Sequence, residues 1–245
     1  MRRVTAVAFI MGCALASAGV ASANPPGTGS AGSAGGPPAS YSLRDYALPA
    51  GNQGTVGCVS GWATGYTGYG VLMNEQNISG GPMAPMYVCS QLPDSPWLND
   101  VLTLEQQQGI DTADDYGDSG GKPTDEQRAN AAHYKLSGFR DLSNGDRAAQ
   151  VKDAIAGGLP VVIGFEVRES FENLTKDNFR YDPKPSERIL GGHAVTIVAY
   201  DENSVTIENT WGTGWGDSGF FTAPWSFITG NDVDELYSMG PIATA

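Results

Sequence analysis

The chain has 245 residues, a formal net charge of −13 at pH 7 and a hydrophobic share of 40%. A chain of this length can bury the core of one sizeable domain or of two small lobes. Its excess of carboxylates repels phosphate backbones, so the charge argues against nucleic-acid binding.

The first forty residues predict export. Arginines at positions 2 and 3 precede an apolar run that ends in a small-residue Ala-Ser-Ala cleavage site, which is typical of a secretory signal peptide over residues 1–23. Residues 24–40 consist almost entirely of Gly, Ala, Ser, Pro and Thr and predict a disordered spacer. No later segment is apolar over the ~20 residues that a membrane-spanning helix needs. We therefore expect a secreted, extracytoplasmic protein with one domain over residues 41–240.

The first half of this domain, about residues 50–130, predicts a helical lobe. A long helix is predicted over residues 58–75, followed by shorter helices over 84–92 and 97–107. Four glycines in the long helix weaken it and indicate close packing against neighbouring backbone. An acidic stretch over residues 111–121 lacks the spacing of a calcium loop and predicts a solvated loop. The side chains of the long helix that we expect to face a core are Trp62, Tyr66, Tyr69 and Met73.

The second half, about residues 131–235, predicts a β lobe. A helix over residues 146–156 ends at a glycine pair, as a C-terminal cap requires. Alternating or continuous apolar patterns then predict strands. These strands cover residues 160–167, 193–200, 204–210 and 219–222. A helical first half followed by a β second half predicts an α+β fold with two lobes.

Four residues supply the parts of a nucleophilic site, and they follow one another along the chain in the order Gln, Cys, His, Asn. At the N-terminus of a helix, the helix dipole and free N–H groups lower the pKa of a thiol, and a nearby imidazole can pair with the thiolate. The pattern predicts Cys58 as the nucleophile and His193 as the acid and base. Asn209 would orient the imidazole, and Gln53 would donate a hydrogen bond to the oxyanion.

The motifs around these residues resemble those of bacterial members of the papain family of cysteine peptidases, over almost the whole domain. The similarity is strongest in the Gly-His-Ala-Val motif at Gly192 and the Asn-Thr-Trp-Gly-Thr-Gly-Trp-Gly-Asp motif at Asn209, and an Ala-Pro-Met-Tyr-Val segment at Ala84 is also similar. The resemblance implies a helical lobe and a β-barrel lobe with the site between them, and Trp211 above the His–Asn hydrogen bond. It also implies hydrolysis of a peptide or protein substrate.

Two positions depart from the family pattern. The family spacing is Gln-Gly-x-x-Gly-x-Cys, so Val59 occupies the expected place of the nucleophile and Cys58 stands one residue earlier. One residue shifts a Cα by about 3.8 Å, and valine has no ionisable group. The family also has a glycine pair whose backbone binds extended substrate, whereas this chain has Ser95 and Pro96 there. Pro96 has no N–H to donate.

The cysteines leave a second interpretation open. Cys13 belongs to the predicted signal peptide, so Cys58 and Cys89 remain, and an oxidising compartment favours a disulfide between them. A disulfide and a free thiolate exclude each other at Cys58. The sequence therefore predicts either a papain-like cysteine peptidase or a catalytically inactive papain-fold protein that binds a peptide or protein. It predicts no cofactor and no metal, and it does not indicate an oligomeric state.

Overall fold

The structure is a computed structural model that describes residues 35–117 and 120–243. The predicted signal peptide and residues 24–34 of the predicted spacer lie outside the described residues. No helix in the described part of the chain is long and apolar enough to cross a membrane.

A continuous helical segment over residues 59–75 runs through the first half of the domain, as the aromatic spacing predicts. It consists of α1 (Val59–Trp62), a π-helical segment (Ala63–Gly68) and α2 (Tyr69–Glu75), and we call it the central helix. The other helices are α3 (Pro85–Cys89), α4 (Leu98–Gln108), α5 (Ala113–Tyr116), α6 (Asp125–Ala131), α7 (Arg147–Ala156) and α8 (Trp225–Ile228). The acidic stretch, which we expected to be a loop, therefore contains α5. Thr112 starts this short helix by accepting a hydrogen bond from the backbone N–H of Asp115.

The glycines of the central helix are packed closely, as predicted, but their neighbours are mainly side chains rather than backbone. A Cβ at Gly65 would lie 2.7 Å from Cδ1 of Ile110 and 3.4 Å from Cα of Pro85. A Cβ at Gly70 would lie 2.8 Å from the side chain of Leu48. These glycines therefore let other elements approach the helix more closely than any side chain would allow.

The expectation that four aromatic and apolar side chains of the central helix all face a core is wrong for two of them. Tyr69 and Met73 are buried, but Trp62 and Tyr66 are only half-buried. Their rings lie 5.8 Å apart and pack over Gly51, which belongs to the loop that precedes the helix. The face of the helix that carries Trp62 and Tyr66 therefore lies under this loop and not in the core.

The second half of the domain forms an antiparallel sheet. Its strands are β1 (Tyr41–Ser42), β2 (Phe139–Asp141), β3 (Val161–Arg168), β4 (Ile189–Tyr200), β5 (Ser204–Glu208), β6 (Phe220–Pro224) and β7 (Val233–Met239). The strand order is β2-β7-β3-β4-β5-β6, and β1 pairs with the end of β4. β4 begins four residues earlier than expected, and β1, β2 and β7 were not predicted.

The buried apolar side chains form two clusters, one for each lobe. The helical cluster contains Tyr69, Leu72 and Leu102, whereas the cluster over the sheet contains Phe165 and Phe171. The fold is thus the predicted α+β arrangement of a helical lobe and a β lobe. The two lobes are joined directly where Oγ1 of Thr196 on β4 donates a 2.8 Å hydrogen bond to the carbonyl of Ala63 in the central helix. This contact fixes the start of the central helix against the strand that carries His193.

Candidate functional site

His193 and Asn209 lie on neighbouring antiparallel strands at the same end of the sheet. Thr196 of β4 pairs with Glu208 of β5, so Asn209, which directly follows Glu208, lies beside the part of β4 that contains His193. Nε2 of His193 and Oδ1 of Asn209 are 2.8 Å apart and form a buried hydrogen bond. The ring of Trp211 lies 5.0 Å from the imidazole ring. The structure therefore brings this predicted pair together.

Gln53 joins the same hydrogen-bond network through Thr210. The backbone N–H of Thr210 donates to Oδ1 of Asn209 at 2.8 Å, and its hydroxyl donates to Oε1 of Gln53. The backbone N–H of Gln53 donates to the carbonyl of Thr210 at 2.9 Å. Gln53, Asn209 and His193 are thus held in one buried network, which includes Thr210, a residue that sequence reasoning did not single out.

The surroundings of His193 favour the neutral imidazole. The side chain is 5% exposed, and the rings of Phe165, Phe171 and Trp211 surround it at 5.0–6.0 Å. Burial lowers the pKa of His193 to about 4, and the hydrogen bond with Asn209 only partly opposes this shift. Near pH 7 the ring is therefore uncharged in this disulfide form, in which Cys58 supplies no thiolate to pair with an imidazolium.

The sulfur of Cys58 is bonded to the sulfur of Cys89. The disulfide joins the residue directly before α1 to the last residue of α3, with the two Cα atoms 5.9 Å apart. A Cβ at Gly61 would lie 2.6 Å from Sγ of Cys89 and 2.8 Å from Sγ of Cys58, so the absence of a side chain at Gly61 makes room for the disulfide. In this structure Cys58 has no thiol, which is the second of the two states that the sequence left open.

Val59 is the first residue of α1, and the hydrogen-bond donors around it are already engaged. The backbone N–H of Val59 donates to the carbonyl of Gly57 at 3.0 Å. Nε2 of Gln53, the expected oxyanion donor, donates to the carbonyl of Val56 at 2.8 Å. Stabilisation of an oxyanion needs donors aimed at the position where the charge develops. Here a helix-start N–H and one proton of the glutamine amide are directed at carbonyls of the chain itself.

The segment expected to bind extended substrate is also modified. Besides lacking an N–H, Pro96 has its carbonyl occupied, because Oγ of Ser60 donates to it at 2.8 Å. Ser95 has a φ of 56°, in the left-handed region that non-glycine residues rarely adopt. Trp97, the next residue along the chain, is 62% exposed. Pro96 therefore cannot donate a backbone hydrogen bond to a peptide, and its carbonyl already accepts one from Ser60.

A helical lobe and an antiparallel-sheet lobe, joined beside a buried His–Asn pair, define a papain-like fold. The chain belongs to the papain family of cysteine proteases, since residues 89–226, more than half of its length, match the family described as Papain family cysteine protease. The matched range begins at Cys89 and does not include the segment around Cys58.

Individual relatives agree with this assignment. The chain is 37% identical over 105 residues to an uncharacterized peptidase C1-like protein of Acanthamoeba polyphaga mimivirus, covering 41% of this chain and 34% of that protein. It is 30% identical over 128 residues to cysteine proteinase 3 of Entamoeba histolytica, covering 50% of this chain and 40% of that protein. The matches thus span 34–40% of the length of these curated relatives.

Among solved structures, the fold is similar to that of xylellain, a cysteine protease from Xylella fastidiosa. The TM-score is 0.73 at 20% identity, and the match covers 84% of this chain and 87% of that one. At this level of identity the similarity concerns the fold. Family membership supports a peptidase-like function in the general sense.

Proposed function

We propose that this chain is a secreted papain-fold protein that, in its disulfide form, binds a peptide or protein at the former active site without cleaving it. The observation that carries the proposal is the Cys58–Cys89 disulfide, which leaves no thiol at the start of the central helix. Val59, at the family's nucleophile position, has no atom that can attack a carbonyl. Secretion is inferred from the N-terminal sequence alone and would supply the oxidising compartment that such a disulfide needs.

Three further features support the absence of hydrolysis. In the disulfide form the pKa of His193 is lowered to about 4, so its imidazole is neutral at pH 7. The donors of Val59 and Gln53 are bonded to carbonyls of the chain itself. Pro96 has no N–H to donate to a substrate backbone. Each of these features impairs catalysis, and none of them disturbs the fold.

A second candidate function is peptide hydrolysis by Cys58 after reduction of the disulfide. The buried hydrogen bond between His193 and Asn209 favours it, because a non-catalytic cleft has no need of an oriented imidazole. In that case Cys58 would be the nucleophile, His193 the acid and base, and Gln53 an oxyanion donor. The two candidates differ in what reduction does to the protein.

The deciding experiment measures alkylation and hydrolysis before and after reduction. We expect neither the oxidised nor the reduced chain to cleave fluorescent casein, and both thiols of the reduced chain to react slowly with iodoacetamide. His193→Ala should not change these rates, because neither thiol stands at the family's nucleophile position, where a thiolate could pair with the imidazole. Hydrolysis that appears on reduction and disappears in His193→Ala would overturn the proposal in favour of the peptidase.

A second experiment rebuilds a thiol at the family's nucleophile position and provides the positive control. Val59→Cys in a Cys58→Ser, Cys89→Ser background restores the family spacing. We expect its thiol to be alkylated faster than the thiols of the reduced wild-type chain. His193→Ala in the same background should slow the alkylation to the wild-type rate. If the new thiol is inert while wild-type Cys58 is reactive, Val59 is not the lost nucleophile position and the proposal fails.

The binding half of the proposal has its own measurement. The oxidised chain is applied to positional-scanning libraries of immobilised peptides, in which one position is fixed and the others are mixed. Retention on some members of the library is the expected result. A chain that is retained by none of them does not use its cleft for extended peptides.

A further inference from the structure

A carboxylate of the β lobe reaches the first turn of α4 in the helical lobe. Glu235 lies on β7, and it accepts hydrogen bonds from the backbone N–H groups of Leu98 at 3.1 Å and Asn99 at 3.4 Å. These are the first two residues of α4, whose N–H groups have no partner within the helix, and the preceding Trp97 has no side-chain oxygen to offer them. The carboxylate therefore satisfies the start of α4, and we call this pair of hydrogen bonds the Glu235 bridge.

A glycine on the neighbouring strand makes room for the bridge. Gly164 of β3 pairs directly with Glu235 of β7. A Cβ at Gly164 would lie 3.1 Å from Oε2 and 3.2 Å from Cβ of Glu235. Glycine inside a strand weakens the strand and often marks a place where another group approaches closely. Any other residue at position 164 would push the side chain of Glu235 out of its present position.

The Glu235 bridge crosses from one lobe to the other beside the segment that we expect to bind an extended peptide. Leu98 stands two residues after Pro96 of that segment, whereas β7 belongs to the sheet. A peptide that lay along the segment and faced the sheet would therefore meet the side chain of Glu235. The bridge occupies this part of the cleft with a group of the chain itself.

The surroundings of Glu235 make the bridge weak enough to open. Burial raises the pKa of Glu235, and the like charges of Asp234 on the same strand and Asp100 on α4 raise it further, whereas the two hydrogen bonds of the bridge lower it. The ionised carboxylate is thus less favourable here than in water, in spite of the bonds that it makes. Displacing it loses those bonds but relieves both the burial and the repulsion.

We propose that the Glu235 bridge is an autoinhibitory contact, which holds the cleft closed beside Pro96 until a bound peptide displaces it. This inference rests on the proposed binding function and names a regulation of that same site. When the carboxylate leaves, the N–H groups of Leu98 and Asn99 become available to acceptors of the peptide.

The first test measures the bridge without any ligand. Amide hydrogen exchange of Leu98 is followed by NMR in the oxidised full-length chain. We expect exchange to be about tenfold faster in Glu235→Ala, because the N–H loses its acceptor. Gly164→Ala keeps the carboxylate but displaces it, and it should also speed the exchange. Asp234→Asn, which removes an exposed carboxylate from the same strand, is the matched control and should exchange at the wild-type rate.

The second test measures the effect of the bridge on binding. On the positional-scanning peptide libraries we expect Glu235→Ala to be retained about fivefold more strongly than wild type, and Asp234→Asn to be retained like wild type. If neither Glu235→Ala nor Gly164→Ala speeds the exchange, or if the exchange is faster but retention does not increase, the inference is wrong while the binding function stands. If neither wild type nor Glu235→Ala is retained by any peptide, the proposed function fails, and this inference fails with it.

Discussion

At the scale of single residues, the start of the central helix combines a glycine with a disulfide. Gly61 lies one turn into the helix, and both sulfurs would be within 2.8 Å of a Cβ at this position. Atoms that close must move apart, and moving a disulfide requires both α1 and α3 to shift. Gly61 and the disulfide should therefore be energetically coupled.

We expect Gly61→Ala to destabilise the oxidised chain by about 1–3 kcal/mol, the usual cost of overpacking. In a Cys58→Ala, Cys89→Ala background the cost of the same substitution should be smaller, because the sulfurs are gone, Cγ2 of Val88 at 3.2 Å is the remaining close contact, and alanine favours a helix by about 1 kcal/mol over glycine. Urea unfolding of the four proteins completes a double-mutant cycle. Equal effects of Gly61→Ala in both backgrounds would show that the two features are independent.

Sequence reasoning identified His193, Asn209 and Gln53 because each stands in a specific local motif, and the structure joins them in one network. It could not decide the state of Cys58, since a thiol and a half-cystine have the same letter. The position of Cys89 next to Cys58 depends on how α3 packs against α1, which is a tertiary property. The sequence predicts close packing at Gly61 but not that the neighbour is the disulfide, because part of that neighbour comes from another element.

At the scale of elements, two glutamate carboxyl groups are fully buried, one on α4 and one on β5. Glu105 of α4 is fully buried, and its Oε1 lies 2.6 Å from Oγ1 of Thr64, which also donates to the carbonyl of Ser60. Glu208 of β5 is fully buried, and neither of its oxygens has a partner among the described residues. Burial raises the pKa of each carboxyl to about 8. Both groups are therefore largely protonated at neutral pH.

This pair makes the stability of the chain depend on pH. A carboxyl whose folded pKa lies above its unfolded value stabilises the fold fully below the unfolded pKa, near 4.5, and this stabilisation declines until the pH reaches the folded pKa, near 8. Over that window each group lowers the free energy of unfolding by about 1.4 kcal/mol per pH unit. The decline should be much smaller in a Glu105→Gln, Glu208→Gln variant, in which Asp111 and Glu235 are the remaining carboxyl groups with a raised pKa.

Urea unfolding at several pH values between 5 and 8 measures the difference between wild type and this variant. Taking the difference cancels the contributions of other carboxyl groups, such as Glu187, whose pKa is lowered and whose slope has the opposite sign. Glu166→Gln, at an exposed position on β3, is the control and should follow the wild-type profile. Parallel profiles for wild type and the double variant would contradict the assignment.

Glu105 and Glu208 also show how much of the burial of a side chain can be predicted from the sequence of its own element. One face of α4 follows the i, i+3, i+4, i+7 spacing, and this spacing indicates that Glu105 is buried together with Leu98, Val101 and Leu102. A carboxylate at such a position is normally interpreted as the edge of the face. Glu208 lies on a strand that is buried on both sides, and this burial follows from the packing of β5 between β4 and β6 beside the central helix. Neither strand order nor inter-lobe contact can be derived from alternation alone.

At the scale of the whole molecule, the α+β division follows from the change of hydrophobic period between the two halves, which is why the sequence predicts it. Strands β1, β2 and β7 are absent from that prediction because they are short or carry mixed polar residues, and long-range pairing stabilises them. β7 pairs with both β2 and β3, so residues near the end of the chain complete the sheet. The lobes then depend on contacts between distant parts of the chain.

The disulfide is the covalent contribution to this long-range organisation. It closes a loop between residues 31 positions apart, and in the chain-entropy model closing a loop of this size stabilises the fold by about 3–4 kcal/mol.

We expect the oxidised chain to be lighter than the reduced chain by two hydrogens and to unfold at higher urea concentration. Cys58→Ala, Cys89→Ala should lose about the same free energy as reduction, with both losses measured by urea unfolding. The loss should be smaller if the unfolded chain already keeps α1 near α3, because the disulfide then restricts fewer conformations. A reduced chain as stable as the oxidised one, with its mass confirmed, would show that the disulfide does not hold the lobe together. Its role would then be confined to the start of the central helix.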